Sequence, residues 1–278
     1  MWRLINLNKR ILATTIITII CSLSLTASAY AAPAPAPTAT STSTSTSTSG
    51  LYQSNQEFSK LTPEQQAASD KKSKLADEYV LSKKAKSVDA NLTSNILISP
   101  LSAGSSKINL VGHFKQVYSN TCGPVSAKNL ISGYTQKNGG NSPSETTLAA
   151  NMNVVLGGAG ASFDATIWQS TLNAYAPGNN YSLTWAGSGW NTSLANKVIY
   201  TIDKSANYDV IFDLYHGAIS DPVRPEYANG IAHYICAYGY NDVSKLYYIS
   251  DSYSAVPQTY SCTYQSAADS TQSRGVIW

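Results

Sequence analysis

Cys122 stands just before a helical pattern, with Gln116 six residues upstream. A thiol attacks only as its thiolate, and a helix N-terminus favours negative charge through its free N–H groups and the positive end of its dipole. Pro124 suits the first turn, and Val125, Leu130, Ile131 and Tyr134 share one broad side, with Gly133 near the expected end. A side-chain amide at residue 116 is within reach of an oxyanion forming beside the Cys122 N–H. That is the chemistry of nucleophilic acyl transfer, and it needs a base.

The chain has three histidines. His113 lies close along the chain to the thiol, and His216 opens a loop. His233 sits in a strand pattern that ends in the turn signal Asn241-Asp242-Val243. A hairpin symmetric about Asp242 sets residue 233 opposite Asp251. A cross-strand carboxylate there accepts the imidazole N–H, fixes its tautomer and stabilises the imidazolium. Each residue alone has an ordinary reading: a small buried hydrophobe, a packed strand histidine, a turn cap, a surface amide. In this order and spacing they fill the roles of nucleophile, base, orienting acid and oxyanion donor.

Gln116, five residues, Cys122-Gly123-Pro124, then Ala232-His233-Tyr234-Ile235 and the strand-end Asp251 resemble the peptidase C39-like group of papain-fold cysteine peptidases. The resemblance covers roughly residues 110–255. It implies an α+β, papain-like fold with an N-terminal nucleophile helix packed on a C-terminal antiparallel sheet. It also implies Cys122 as nucleophile, His233 as base, Asp251 as orienting acid and Gln116 at the oxyanion position. The chemistry needs no cofactor and no metal, and the cysteines and histidines have no ligand-like spacing. The same thioester chemistry serves an acyltransferase or amidase. The same fold without turnover serves a surface binding module.

The elements expected around these residues follow from local pattern. Ser142-Pro143-Ser144-Glu145 reads as a capping box opening a helix through Met152. Ser162 caps a helix from Phe163 to Tyr175, and Asn191 or Thr192 caps another carrying Leu194, Val198, Ile199 and Ile202. The period then changes to two, giving strands at Tyr208–Tyr215, Ile231–Tyr240, Leu246–Asp251, Thr259–Tyr264 and Gly275–Trp278. Asn95–Ser99 and Gly112–Tyr118 read as short strands or extended arms. Helices first and strands later mark an α+β domain. The loops Gly217–Asn229 and Trp185–Trp190 are candidates for shaping a cleft. Gly157-Gly158-Ala159-Gly160 lacks the Lys-Ser/Thr of a phosphate loop.

Residues 1–31 read as a signal peptide: Lys9 and Arg10, an apolar run from Ile11 to Leu25, and the cleavage pattern Ala27-Ser28-Ala29. Residues 32–56 are Ala/Pro and Ser/Thr low-complexity linker. Residues 57–90 are charged and helix-favouring, started by Thr62-Pro63-Glu64-Gln65, with a thin apolar stripe of Leu61, Ala68, Leu75, Tyr79 and Val80. They read as a solvated stalk or as a pro-segment over the cleft. Residues 91–278 form the C39-like domain, long enough for one real core. The formal charge is +3 with only 13% charged residues and no basic stripe, so nucleic-acid binding is excluded. The expected partner is a peptide or protein substrate, the expected state a secreted monomer, with release or cell-wall association left open. After signal removal Cys122, Cys236 and Cys262 remain. A Cys236–Cys262 bridge is the natural pair in an exported chain, but a regular meander sets them two strand spacings apart, ~9.6 Å, beyond disulfide reach.

Overall fold

A computed structural model describes residues 61–93, 104–161, 164–216, 223–227 and 231–278. The signal peptide and linker, the Asn95–Ser99 strand, the Ser162 cap and most of Gly217–Asn229 lie outside the described residues. The described elements are α1 (Pro63–Thr93), β1 (Ser106–Ile108), α2 (Cys122–Asn138), α3 (Glu145–Asn151), α4 (Ala165–Tyr175), β2 (Leu183–Thr184), α5 (Trp190–Asp203), β3 (Val210–His216), β4 (Ile231–Asn241), β5 (Leu246–Ser250), β6 (Thr259–Thr263), α6 (Tyr264–Thr271) and β7 (Gly275–Ile277).

The strands form one antiparallel sheet in the order β2-β7-β3-β4-β5-β6. Strand β1 extends the β3 edge by pairing with the last residues of β4. This is the expected papain-like α+β arrangement, with the helix that begins at Cys122 on a sheet built from the later part of the chain. Alternation along the strands feeds two cores. Ile211, Tyr234, Cys236 and Ile277 meet α2, α3 and α4 through Leu130, Ile131, Leu148, Trp168 and Leu172. Phe212, Ile235, Ala237, Ile249 and Val276 meet α5 and α6 through Leu194, Val198, Ile202, Tyr264 and Ala267.

Several local expectations shift for physical reasons. Helix α2 runs past Gly133, because that glycine serves a close approach and not an ending. A Cβ at 133 would lie 2.0 Å from the Leu110 carbonyl oxygen, where the arm leading to Gln116 crosses the helix. Residues 112–118 form no strand; they run as that arm across α2. Asp164 caps α4 by accepting the Ile167 N–H (2.9 Å), and Gly189, in the left-handed conformation, stands at the start of α5 in place of Asn191 or Thr192. Helix α6 has no counterpart in the sequence reading, since Gln-Ser-Ala-Ala-Asp-Ser carries no apolar period. None of Cys122, Cys236 and Cys262 is in a disulfide. Strand β5 separates β4 from β6, and the two buried cysteines belong to opposite cores.

Helix α1 is docked along one side. Ser69, Lys72, Ala76 and Val80 are buried, while Leu75 and Ala68 of the expected stripe are exposed. The Ser69 hydroxyl donates to the Leu183 carbonyl (3.0 Å). The Lys72 ammonium donates to the carbonyls of Asn180 and Trp278 and lies 4.5 Å from the Trp278 ring centre. Tyr79 and Lys83 reach Asp203 at the end of α5. A solvated stalk would bury none of these groups. A periodicity count of apolar residues misses such a stripe because two of its four members are polar.

Candidate active site

Cys122 is the first residue of α2 and is partly exposed. Its helix is held to the sheet by one short bond: the Ser126 hydroxyl donates to the Tyr234 carbonyl (2.7 Å). That fixes the start of α2 against the strand residue next to His233. Gly123 follows the thiol for lack of room, since a Cβ there would lie 2.7 Å from Ala161 Cβ and 3.4 Å from the Tyr234 ring. Pro124, third in the helix, has no intrahelical N–H bond to lose.

His233 is 4% exposed and Asp251 is fully buried. His233 Nε2 and Asp251 Oδ1 are 2.9 Å apart. The Cys122 side chain lies close enough to the imidazole to act on its titration. With Nε2 held by Asp251, Nδ1 is the ring nitrogen without a hydrogen-bond partner among the described residues. Burial alone pushes the imidazole pKa down. The Asp251 bond and charge, with the neighbouring Cys122 side chain, outweigh it and raise the pKa to about 10.

The contact between His233 and Asp251 is the one expected, but the route to it differs. Ser250 pairs with Cys236, where a hairpin symmetric about Asp242 sets it opposite Tyr234. The turn is longer than Asn-Asp-Val: Asn241 pairs with Leu246, and the Asn241 side chain accepts the N–H groups of Val243 and Ser244 (both 3.0 Å). The offset at the turn is three residues, and an odd offset would move Asp251 to the other face of the sheet. An irregularity between Ala237 and Gly239 removes one residue of offset. The remaining two preserve the face, and Asp251 meets His233 as a diagonal neighbour.

Asp251 accepts four donors. Oδ1 takes His233 and the Tyr253 N–H (2.8 Å); Oδ2 takes the hydroxyls of Tyr260 (2.8 Å) and Tyr227. Burial raises its pKa, but the His233 bond and charge, the Tyr227 hydroxyl and the Tyr253 N–H more than compensate. The carboxyl is left below its ordinary value. The rings of Tyr227 and Tyr253 stand 5.1 and 6.0 Å from the imidazole centre and screen it from water.

Gln116 lies in the loop before Cys122. Its N–H donates to the Ser252 carbonyl (2.9 Å) and its Oε1 accepts the Ser252 hydroxyl (3.0 Å), which ties the arm to the residue after Asp251. Its amide nitrogen donates to the carbonyls of Tyr118 (3.0 Å) and Ser119 (3.1 Å). The amide thus braces the turn that leads into the thiol. Further back, buried Asn129 of α2 holds the arm by accepting the Phe114 N–H (2.8 Å), and the Gly112 N–H donates to the Asn129 carbonyl (2.8 Å). Thr121, at the N-cap of α2, makes no side-chain cap bond. The first N–H groups of the helix, that of Cys122 included, keep no intrahelical acceptor.

The structure thus bonds His233 to Asp251, sets Cys122 near the imidazole, and ties Gln116 to the residue after Asp251. His113 is exposed, edge-on to the Tyr238 ring. Of the two suggested cleft loops, Val223–Tyr227 touches the site through Tyr227. The other ends in Trp190, which is buried and donates to Thr271 of α6 (2.8 Å). Residues missed by sequence reasoning are Tyr227, Tyr260, Ser126, Asn129 and Glu145. Tyr260 was accessible in principle: it pairs with Ile249, beside the end of β5. Among the described residues no cluster of His, Cys, Asp and Glu is arranged for a metal, and no helix is long and apolar enough to cross a membrane. No curated protein matches this chain. The model of the Peptidase_C39 like family matches residues 108–273, a span that contains α2, the hairpin and Asp251, and the chain belongs to that family.

Proposed function

We propose that the protein is an exported cysteine peptidase that hydrolyses peptide bonds with Cys122, His233 and Asp251, acting as a monomer on peptide or protein substrates. The observation that carries this reading is the buried imidazole, bonded to Asp251 and close enough to a partly exposed thiol at a helix start for that thiol to act on its titration. Family membership supports a peptidase of the cysteine type. The sequence of residues 1–31 supports export.

His233 receives the Cys122 proton, and the sulfur attacks the peptide carbonyl carbon. The oxyanion is met by the Cys122 N–H, with the Gln116 amide as second donor once it turns from the Tyr118 and Ser119 carbonyls. The C–N bond breaks, and the nitrogen leaves with the bonding pair and takes the proton from His233. Water then attacks the thioester and gives a proton to His233. The C–S bond breaks, releasing a carboxylic acid and the thiol. Asp251 keeps the ring oriented and balances its charge throughout.

Incubation of a peptide library with the wild type and Cys122→Ala tests this. Fragments appear with the wild type only. A library left intact by the wild type, or cut equally by Cys122→Ala, contradicts the reading.

A further inference from the structure

The loop between Gln116 and Cys122 has an anchor that the mechanism does not use. Glu145 is the first residue of α3, and only 8% of it is exposed. As part of Ser142-Pro143-Ser144-Glu145 it reads as a local cap. Ser144 fills that role instead, accepting the Thr147 N–H (3.0 Å). The Glu145 carboxylate turns across the chain: both oxygens face the Val117 N–H (3.1 and 3.3 Å), and one meets the Thr121 hydroxyl. It therefore grips the residue after Gln116 and the residue before Cys122 together.

Two consequences follow for the site. The Thr121 hydroxyl turns its one hydrogen toward Glu145, with the Tyr118 carbonyl (2.8 Å) as the alternative acceptor, and makes no cap bond to α2. The N–H groups at the helix start stay open. The turn at Tyr118–Ser119 is also fixed from both sides, by Glu145 and by the Gln116 amide. Burying a carboxylate is unfavourable unless donors meet it, and its donors here come from the loop that carries the oxyanion groups.

We propose that Glu145 is the positioning residue of the oxyanion loop, acting on acyl transfer through Val117 and Thr121 without touching the reacting atoms. The proposal rests on the reading of Cys122 as an acyl-transfer nucleophile. It separates two reactivities of that thiol. Alkylation by iodoacetamide needs the Cys122–His233 pair and forms no oxyanion. Acylation by 4-nitrophenyl acetate forms one: the S–C bond is made, the ester C–O bond breaks, and 4-nitrophenolate leaves with the bonding pair.

The experiment measures both rates, with the thermal unfolding midpoint, in full-length wild type, Glu145→Ala and Glu145→Gln. In Glu145→Ala alkylation stays within about twofold, while acylation falls by about 10- to 100-fold, the scale of a misplaced oxyanion donor. Glu145→Gln retains an acceptor for Val117 and a polar partner for Thr121, and restores acylation to within about threefold. Where Glu145→Ala does not fold, Thr121→Val carries the same split between the two rates. Unchanged acylation in the alanine variant, or equal loss of both rates, overturns the role of Glu145. A wild type that acylates no faster than Cys122→Ala sinks the peptidase reading as well, and is recognised before any Glu145 variant is compared.

Discussion

His233 and Asp251 set the pH behaviour, and the signs follow from their partners. The imidazole is raised to about 10. Its contribution to stability is therefore full below the ordinary histidine value near 6.5 and is lost as pH rises toward about 10. In the proposed hydrolysis the same ionisation removes the acid for the leaving nitrogen, so kcat/KM is expected to decline on the alkaline side with a midpoint near 10. Asp251→Asn removes the charge that opposes burial. The alkaline limb then moves to lower pH, and the hydrolysis rate falls by roughly 10²-fold or more; a pH profile of kcat/KM reads both. Asp251 has the opposite sign. Its lowered pKa contributes stability above the ordinary carboxyl range that is lost as pH falls through the folded value. Removing both hydroxyl donors to Oδ2, by Tyr227→Phe with Tyr260→Phe, weakens the hold on the carboxylate. The midpoint of acid unfolding moves to higher pH, and either single change moves it less, because the other hydroxyl stays on the same oxygen.

At the scale of elements, the site is made by three junctions: the arm across α2, the Ser126 bond from α2 to β4, and the diagonal contact from β5 to β4. The first depends on Gly133. Gly133→Ala drives a methyl group into the Leu110 carbonyl, and the backbone cannot yield as a side chain would. A loss of about 1–3 kcal/mol is expected by denaturant unfolding, with a lower hydrolysis rate because the same arm carries Gln116. This junction was not legible in the sequence, where Gly133 resembles a helix end. The nucleophile helix was legible, since Cys122-Gly123-Pro124 and the apolar side behind it are local signals. The strands from Val210 onward were legible through their alternation. Register was not, because it depends on turn length and on the irregularity near Tyr238, neither of which leaves a composition signal. The His233–Asp251 contact survives that error only because the net offset is even. Glu145 and Tyr227 were hidden for a related reason: each works through a partner distant in sequence, and each has a local reading that suffices.

At the scale of the molecule, α1 belongs to the same compact unit as the sheet and α2. It precedes the segment matched by the family model, yet it places Ser69, Lys72, Ala76 and Val80 against that segment. Its hydrogen bonds among the described residues go to α4, β2, α5, β4 and the Asn180 and Trp278 carbonyls. A charge inserted at its inner face is therefore expected to weaken the whole unit. Ala76→Asp costs about 3 kcal/mol or more as an unpaired buried charge, while Ala68→Asp, on the exposed side, stays within about 0.5 kcal/mol. Thermal unfolding of the two variants compares them directly, and equal midpoints would show that α1 is not docked in solution. The proposed chemistry of the molecule turns on one pair, the Cys122 thiol and His233. The direct measurement is the alkylation rate of Cys122 by iodoacetamide near pH 6, located by peptide mass spectrometry, in the wild type and in His233→Ala. The prediction is rapid labelling in the wild type and a rate at least about tenfold lower in the variant, since the imidazole is what receives the proton. Equal rates in the two proteins, both those of an ordinary thiol, would contradict it.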